Sequence, residues 1–225
     1  MLEKIKHKLV VSCQALPEEP LHSSFIMGRM ALAAAQGGAS GIRAQGKEDI
    51  LEIKKTVDLP IIGIVKRNYP DSDIYITPTL REIEELTEAG CDMIALDATL
   101  RKRPGDASLE ELVKKIHDYG FLAMADCSTF EECIHAEKLG FDCVSTTLCG
   151  YTPYSEKHDG PSFELIKRVS EACQVPVIAE GKINTPEDLA AVFAAGAYSA
   201  VVGGAITRPK QITERFVRAI SGSNC

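Results

Sequence analysis

Eight short runs of β-branched and other apolar residues, with helix-forming stretches between them, constrain this chain more than any other feature. They cover residues 8–14, 41–44, 60–66, 93–98, 121–126, 143–148, 176–180 and 200–206. Dividing 225 residues among eight units leaves about 28 per unit, well above the dozen that a parallel crossover needs. The runs are nearly continuous in apolarity rather than alternating, the pattern of strands covered on both faces. The stretches between them carry helix punctuation. Thr77-Pro78 and Thr185-Pro186 predict a capping Thr before a Pro at the first helical position. Ser108 with Glu111, and Thr129 with Glu132, predict capped first turns. Gly38, Gly90, Gly120, Gly140 and Gly196 stand at helix exits. Eight alternating units predict a single α/β domain over residues 1–225, a (β/α)8 TIM barrel. A doubly wound open sheet is the alternative, but no run is followed by GxGxxG or a Walker A loop.

Units three and seven resemble each other, Pro60-Ile61-Ile62-Gly63-Ile64-Val65-Lys66 echoing Pro176-Val177-Ile178-Ala179-Glu180-Gly181-Lys182. The third unit carries a longer loop before its Thr-Pro pair.

Charge and cysteine use narrow the function. The net charge is −7 and no basic block is present, so nucleic acid is not an expected partner. A 45% apolar content with 25% charged residues excludes wholesale disorder, collagen and coiled coil. The eight cysteines, Cys225 included, form no CxxC pair and several sit in apolar runs, so reduced buried thiols in a cytoplasmic protein are expected. The five histidines form no ligand spacing, and no metal site is expected. The charged N-terminus with its short, interrupted apolar run does not make a signal peptide. Residues 189–207 carry no formal charge, but they are rich in Ala and Gly and read as a buried helix, turn and strand rather than a membrane span.

In such barrels the chemistry sits where the strands end. The predicted ends present Gln14, Arg43 with Gln45, Lys66-Arg67, Asp97, Asp126, Thr146-Thr147, Glu180-Gly181-Lys182, and Gly203-Gly204 with Arg208 beyond. Gly181, Gly203 and Gly204 allow close backbone approach in the loops after strands seven and eight, where phosphate commonly sits, and Arg208 adds a planar fork of donors. Lys66 and Glu180 each follow an apolar strand and are the expected catalytic pair. Burial and a neighbouring Arg43 would lower the Lys66 pKa, and Glu180 would oppose that shift. The segment Tyr151-Thr152-Pro153-Tyr154-Ser155 reads as a loop able to cover the site. On these residues alone, a Schiff-base lyase using Lys66 and a phosphosugar sensor without turnover also fit.

At these positions the chain resembles the bacterial N-acetylmannosamine-6-phosphate 2-epimerases. The resemblance runs through Ser12-Cys13-Gln14-Ala15, Ile42-Arg43-Ala44-Gln45-Gly46, Gly63-Ile64-Val65-Lys66-Arg67 and Ala95-Leu96-Asp97-Ala98-Thr99. It continues through Met124-Ala125-Asp126, Ser145-Thr146-Thr147, Ala179-Glu180-Gly181-Lys182-Ile183 and Val202-Gly203-Gly204-Ala205-Ile206-Thr207-Arg208-Pro209. Lys182 stands where Arg would be equally expected. The resemblance implies interconversion of N-acetylmannosamine 6-phosphate and N-acetylglucosamine 6-phosphate in sialic acid breakdown, through proton removal and return at C2 and with no cofactor. It implies Lys66 as the base and Glu180 as the assisting carboxylate. It further implies that Gln14, Arg43 and Asp126 orient substrate, and that Gly181, Lys182, Gly203, Gly204 and Arg208 bind it. A phosphorylated amino sugar is the expected small-molecule partner. No membrane partner is expected, and a homodimer through a surface helix is left open.

Overall fold

The computed structural model describes residues 1–105 and 108–221. Eight parallel strands close into a barrel in chain order. They are β1 (Leu9–Cys13), β2 (Gly41–Gln45), β3 (Ile61–Ile64), β4 (Met93–Asp97), β5 (Leu122–Asp126), β6 (Cys143–Ser145), β7 (Val177–Glu180) and β8 (Ser199–Val202). The crossovers carry α2 (Ser24–Gln36), α3 (Lys47–Thr56), α4 (Leu80–Ala89), α5 (Leu109–Asp118), α6 (Phe130–Lys138), α7 (Phe163–Ala172) and α8 (Pro186–Ala194). A short α1 (Leu2–Ile5) precedes the barrel, and α9 (Gly204–Thr207) and α10 (Pro209–Ser221) follow it. The sheet closes through β1 and β8, Leu9 opposite Ala200 and Val11 opposite Val202.

The continuous apolarity of the strands has the predicted cause: they are covered on both faces. Outward residues such as Val11, Ile42, Ile61 and Ile94 pack with Ile53, Ile83, Leu86 and Ile116 of the helices. Inward residues Val10, Ile62, Ile64, Met93, Met124, Ile178 and Val201 fill the barrel interior. Ile5 of α1 joins that interior cluster, with Met1 and Leu2 beside it, so α1 plugs the end where the strands begin. This element was not anticipated from sequence. Polar groups are therefore pushed to the opposite end, where the strands stop.

All five exit glycines adopt positive φ, and Thr185, Ser108 and Thr129 cap their helices as predicted. Thr77 does not cap α4. It is fully buried at φ 45°, its hydroxyl donating to the Ala95 carbonyl at 2.7 Å, and Thr79 takes the cap. The third, sixth and eighth strands are each three residues shorter than predicted. The sixth run stops at Ser145 and turns, and the eighth stops at Val202 because Gly203 bends the chain into α9. The span 189–207 is thus the end of α8, β8 and α9, and no described helix is long and apolar enough to cross a membrane. The seven described cysteines are free and all but Cys149 are buried; burial pushes the Cys13 and Cys91 thiols up to about 12. Cys225 lies outside the described residues.

Candidate active site

The strand ends open into a cavity of about 570 Å³, within the usual range for small-molecule sites. Gln14, Arg43, Lys66, Glu180, Gly181, Lys182, Gly203, Gly204 and Arg208 line it. Of the predicted site residues only Asp126 is set behind the wall. It is fully buried on β5 and reaches the cavity through Arg43.

Arg43, 1% exposed, is the hub of this wall. Its Nη1 and Nη2 donate to Asp126 Oδ1 at 3.0 Å and Oδ2 at 2.5 Å, and Nη1 also donates to Glu180 Oε2 at 2.6 Å. Burial alone would lower the Arg43 pKa, but Asp126 and Glu180 reverse this and keep the guanidinium charged. Its Nε–H is buried with no hydrogen-bond partner among the described residues. Thr147 ties the two acids together, its Oγ1 lying 2.7 Å from Asp126 Oδ1 and 3.2 Å from Glu180 Oε2.

Lys66 lies two residues beyond β3. The Gln45 side chain accepts from its N–H at 3.1 Å, and Ile76 bridges it from the long third loop. The same loop brings Tyr75 to the cavity. Burial lowers the Lys66 amine to about 8, with help from the positive charges of Arg43 and Arg208. Glu180 opposes that shift, as expected from the sequence, but does not cancel it. Burial likewise pushes the Glu180 carboxyl up to about 7, with Asp126 adding to the rise and Arg43 opposing it. A base and an acid, both titrating near neutrality, thus line one cavity, an arrangement typical of proton-transfer sites.

The opposite rim is built by the loops after β7 and β8. Gly181 takes φ 105° and Lys182 φ 56°, two successive left-handed residues. A side chain at position 181 would be strained there. A Cβ at Gly203 would stand 3.3 Å from Ser12 Cβ, so this position also favours glycine. Arg208 lies on this rim, held by Glu19 at 3.1 and 3.2 Å. The Lys182 ammonium is turned aside to the His158 carbonyl, so at this position it is a loop anchor rather than a free cation.

Three charged strand-end residues depart from the predicted ring. Arg67 points away, paired with Glu82 and Glu85 of α4. Asp97 is buried behind Thr99 and Arg101, which donate to it at 2.7 and 2.5 Å. Asp126 acts through Arg43, as described. Conversely, Ser12, Tyr75, Thr147 and Tyr151 line the cavity without having been singled out for substrate. Glu19 was also missed, because its pairing with Arg208 joins residues 189 positions apart and leaves no local signal.

Comparison with known proteins agrees with this geometry. Residues 27–222 match the profile of a family described as "NanE: Putative N-acetylmannosamine-6-phosphate epimerase". A protein of Clostridioides difficile (strain 630), named "Putative N-acetylmannosamine-6-phosphate 2-epimerase", is 62% identical over 98% of this chain and 99% of its own length. One of the same name from Clostridium perfringens (strain SM101 / Type A) is 64% identical over 96% of this chain and 98% of its own. The solved structure of the N-acetylmannosamine-6-phosphate 2-epimerase from Clostridium perfringens superposes with a TM-score of 0.96 at 63% identity, covering 97% of this chain and 96% of that one. A thiamine phosphate pyrophosphorylase from Pyrococcus furiosus, 20% identical with a TM-score of 0.62, shares the fold alone. This chain belongs to the N-acetylmannosamine-6-phosphate epimerase family.

Proposed function

We propose that the protein interconverts N-acetylmannosamine 6-phosphate and N-acetylglucosamine 6-phosphate, a step in sialic acid breakdown. The observation that carries this reading is an amine brought to about 8, Lys66, sharing a cavity with Glu180 and the buried Arg43. At pH 7 about a tenth of such an amine is neutral, against less than a thousandth of an ordinary lysine. When the sugar ring is open, C1 is an aldehyde and the C2 proton is acidified. Lys66 Nζ takes that proton, and the electron pair of the C2–H bond passes to the C1 oxygen as an enolate. The Arg43 guanidinium, charged and in the cavity wall, stabilises that oxyanion electrostatically. Return of the proton to the other face inverts C2. Glu180 assists ring opening or proton return, Asp126 holds Arg43 charged and oriented, and Gln14 orients hydroxyls. The backbones of Gly181, Lys182, Gly203 and Gly204, with Arg208, receive the phosphate. The sum of the steps moves one proton and changes no oxidation state, so its balance calls for no redox cofactor.

A homodimer fits α10, where Phe216 and Ile220, four residues apart on one helix face, are 75% and 69% exposed, with Ile206 nearby in sequence and also exposed. A second copy of this chain would cover them. Free thiols among the described residues and a phosphorylated sugar substrate support a cytoplasmic location.

Incubation with N-acetylmannosamine 6-phosphate, followed by proton NMR, tests the reading. Appearance of the C2 epimer supports it. Unchanged substrate, or a borohydride-trapped adduct on Lys66 marking a Schiff-base enzyme, contradicts it.

A further inference from the structure

Four helices open on capping boxes, and in two of them the acidic member is buried. An acid in this position needs only to accept from the cap N–H, as the exposed Glu111 does on α5. Glu132 of α6 is 1% exposed and does more. Its Oε2 accepts from the N–H groups of Ser128 and Thr129 at 2.7 and 3.1 Å and from the Ser128 hydroxyl at 2.7 Å. Its Oε1 accepts from the Leu100 N–H at 3.3 Å and from the Tyr154 hydroxyl at 2.6 Å. One buried carboxylate thereby joins the loops that follow β4, β5 and β6.

The third of these loops is the one that sequence suggested could cover the site. Its contacts are those of a fixed wall. Tyr154 is 52% exposed, so its hydroxyl, rather than packing of its ring, sets its place. Thr152 Oγ1 lies within hydrogen-bond distance of Ser128 Oγ at 3.1 Å and of Ser155 Oγ at 2.8 Å, and Ser155 Oγ accepts from the Gly150 N–H at 2.9 Å. The same loop presents Thr147, Leu148 and Tyr151 to the cavity, and Thr147 contacts both Asp126 and Glu180. Glu82 of α4, fully buried, accepts from Tyr69 of the long third loop at 2.9 Å in the same manner.

We propose that Glu132 is a positioning residue of this active site, fastening the loop after β6 through Tyr154 and the Ser128–Thr152 hydroxyls so that Thr147 and Tyr151 keep their places. The proposal rests on the epimerase reading for its kinetic consequence, but not for the fastening itself. Tyr154→Phe removes one hydroxyl from a half-exposed ring and leaves the α6 cap intact, so it separates positioning from folding. The full-length chain and this variant are compared by amide hydrogen exchange and by steady-state kinetics with N-acetylmannosamine 6-phosphate. Residues 147–155 should exchange at least about tenfold faster, β5 and α6 should be unchanged, and kcat/KM should fall about tenfold, the value for loss of one hydrogen bond to a charged group. The thermal midpoint should stay within about 4 °C of the parent. Glu132→Gln should give the same local exchange with a larger midpoint loss, because it also weakens the cap. Wild-type exchange at 147–155 in Tyr154→Phe, wild-type kcat/KM, or acceleration spread through the barrel would each overturn the proposal. If the parent enzyme itself produces no epimer, the functional reading fails while the exchange result still decides the fastening.

Discussion

Replacing Arg43 with Met keeps most of the side-chain length and removes the charge that two buried acids share. Asp126, fully buried, is then left with the Thr147 hydroxyl at 2.7 Å in place of a bidentate guanidinium, and Glu180 loses its 2.6 Å partner. Breaking a buried pair from one side costs about 3–5 kcal/mol. For a chain of this size each kcal/mol moves the melting midpoint about 2–4 °C, so a loss of about 6–20 °C is expected. The pH dependence has a definite sign. In the variant, burial of Glu180 without its partner makes that carboxylate take up a proton on folding, so folding is favoured as pH falls. The deficit relative to the parent should therefore be largest near pH 8 and shrink toward pH 5. Thermal denaturation followed by circular dichroism at pH 5, 6.5 and 8 measures it. A deficit under about 3 °C at every pH, or one that grows as pH falls, would show that the Arg43 pairing does not hold the barrel mouth together.

The remaining predictions concern the site. With Lys66 as the proposed base, its amine at about 8, and Glu180 as the proposed acid, its carboxyl at about 7, kcat/KM should peak between those pH values and fall on either side; a profile flat from pH 7 to 9 would remove the pair from those roles. Arg43→Met should move that peak upward, since a cation that holds both groups down is gone. Arg208→Ala should raise KM about 10–100-fold with little change in kcat, the cost of one charge-assisted bond to phosphate, and an unchanged KM would place the phosphate elsewhere.

Most of the fold was legible because its signals are local. Apolar runs, Thr and Ser caps and exit glycines each act over a few residues, and the strand count followed from them. The boundaries failed where two local preferences compete. Ile206 and Thr207 favour a strand, yet Gly203 turns the chain and Thr207 instead donates its hydroxyl to the Ser12 carbonyl at 2.8 Å. Thr77-Pro78 looked like Thr185-Pro186 but is pinned between β3 and β4, because the longer third loop moves the cap on to Thr79. The site residues were legible as polar groups ending apolar strands. Which of them turn inward was not, since a neighbouring helix or loop can capture them, as α4 captures Arg67 and Arg101 captures Asp97. Pairings such as Arg208 with Glu19, or Tyr154 with Glu132, depend on closure of the barrel and have no trace in spacing.

The fate of one proton, that on C2, tests the role of Lys66 most directly. In deuterated water, N-acetylmannosamine 6-phosphate at equilibrium with the enzyme should carry deuterium at C2 in both epimers, and Lys66→Ala should leave C2 fully protonated with no second epimer. Epimer formed without deuterium at C2, or exchange that survives the loss of Lys66, would contradict it.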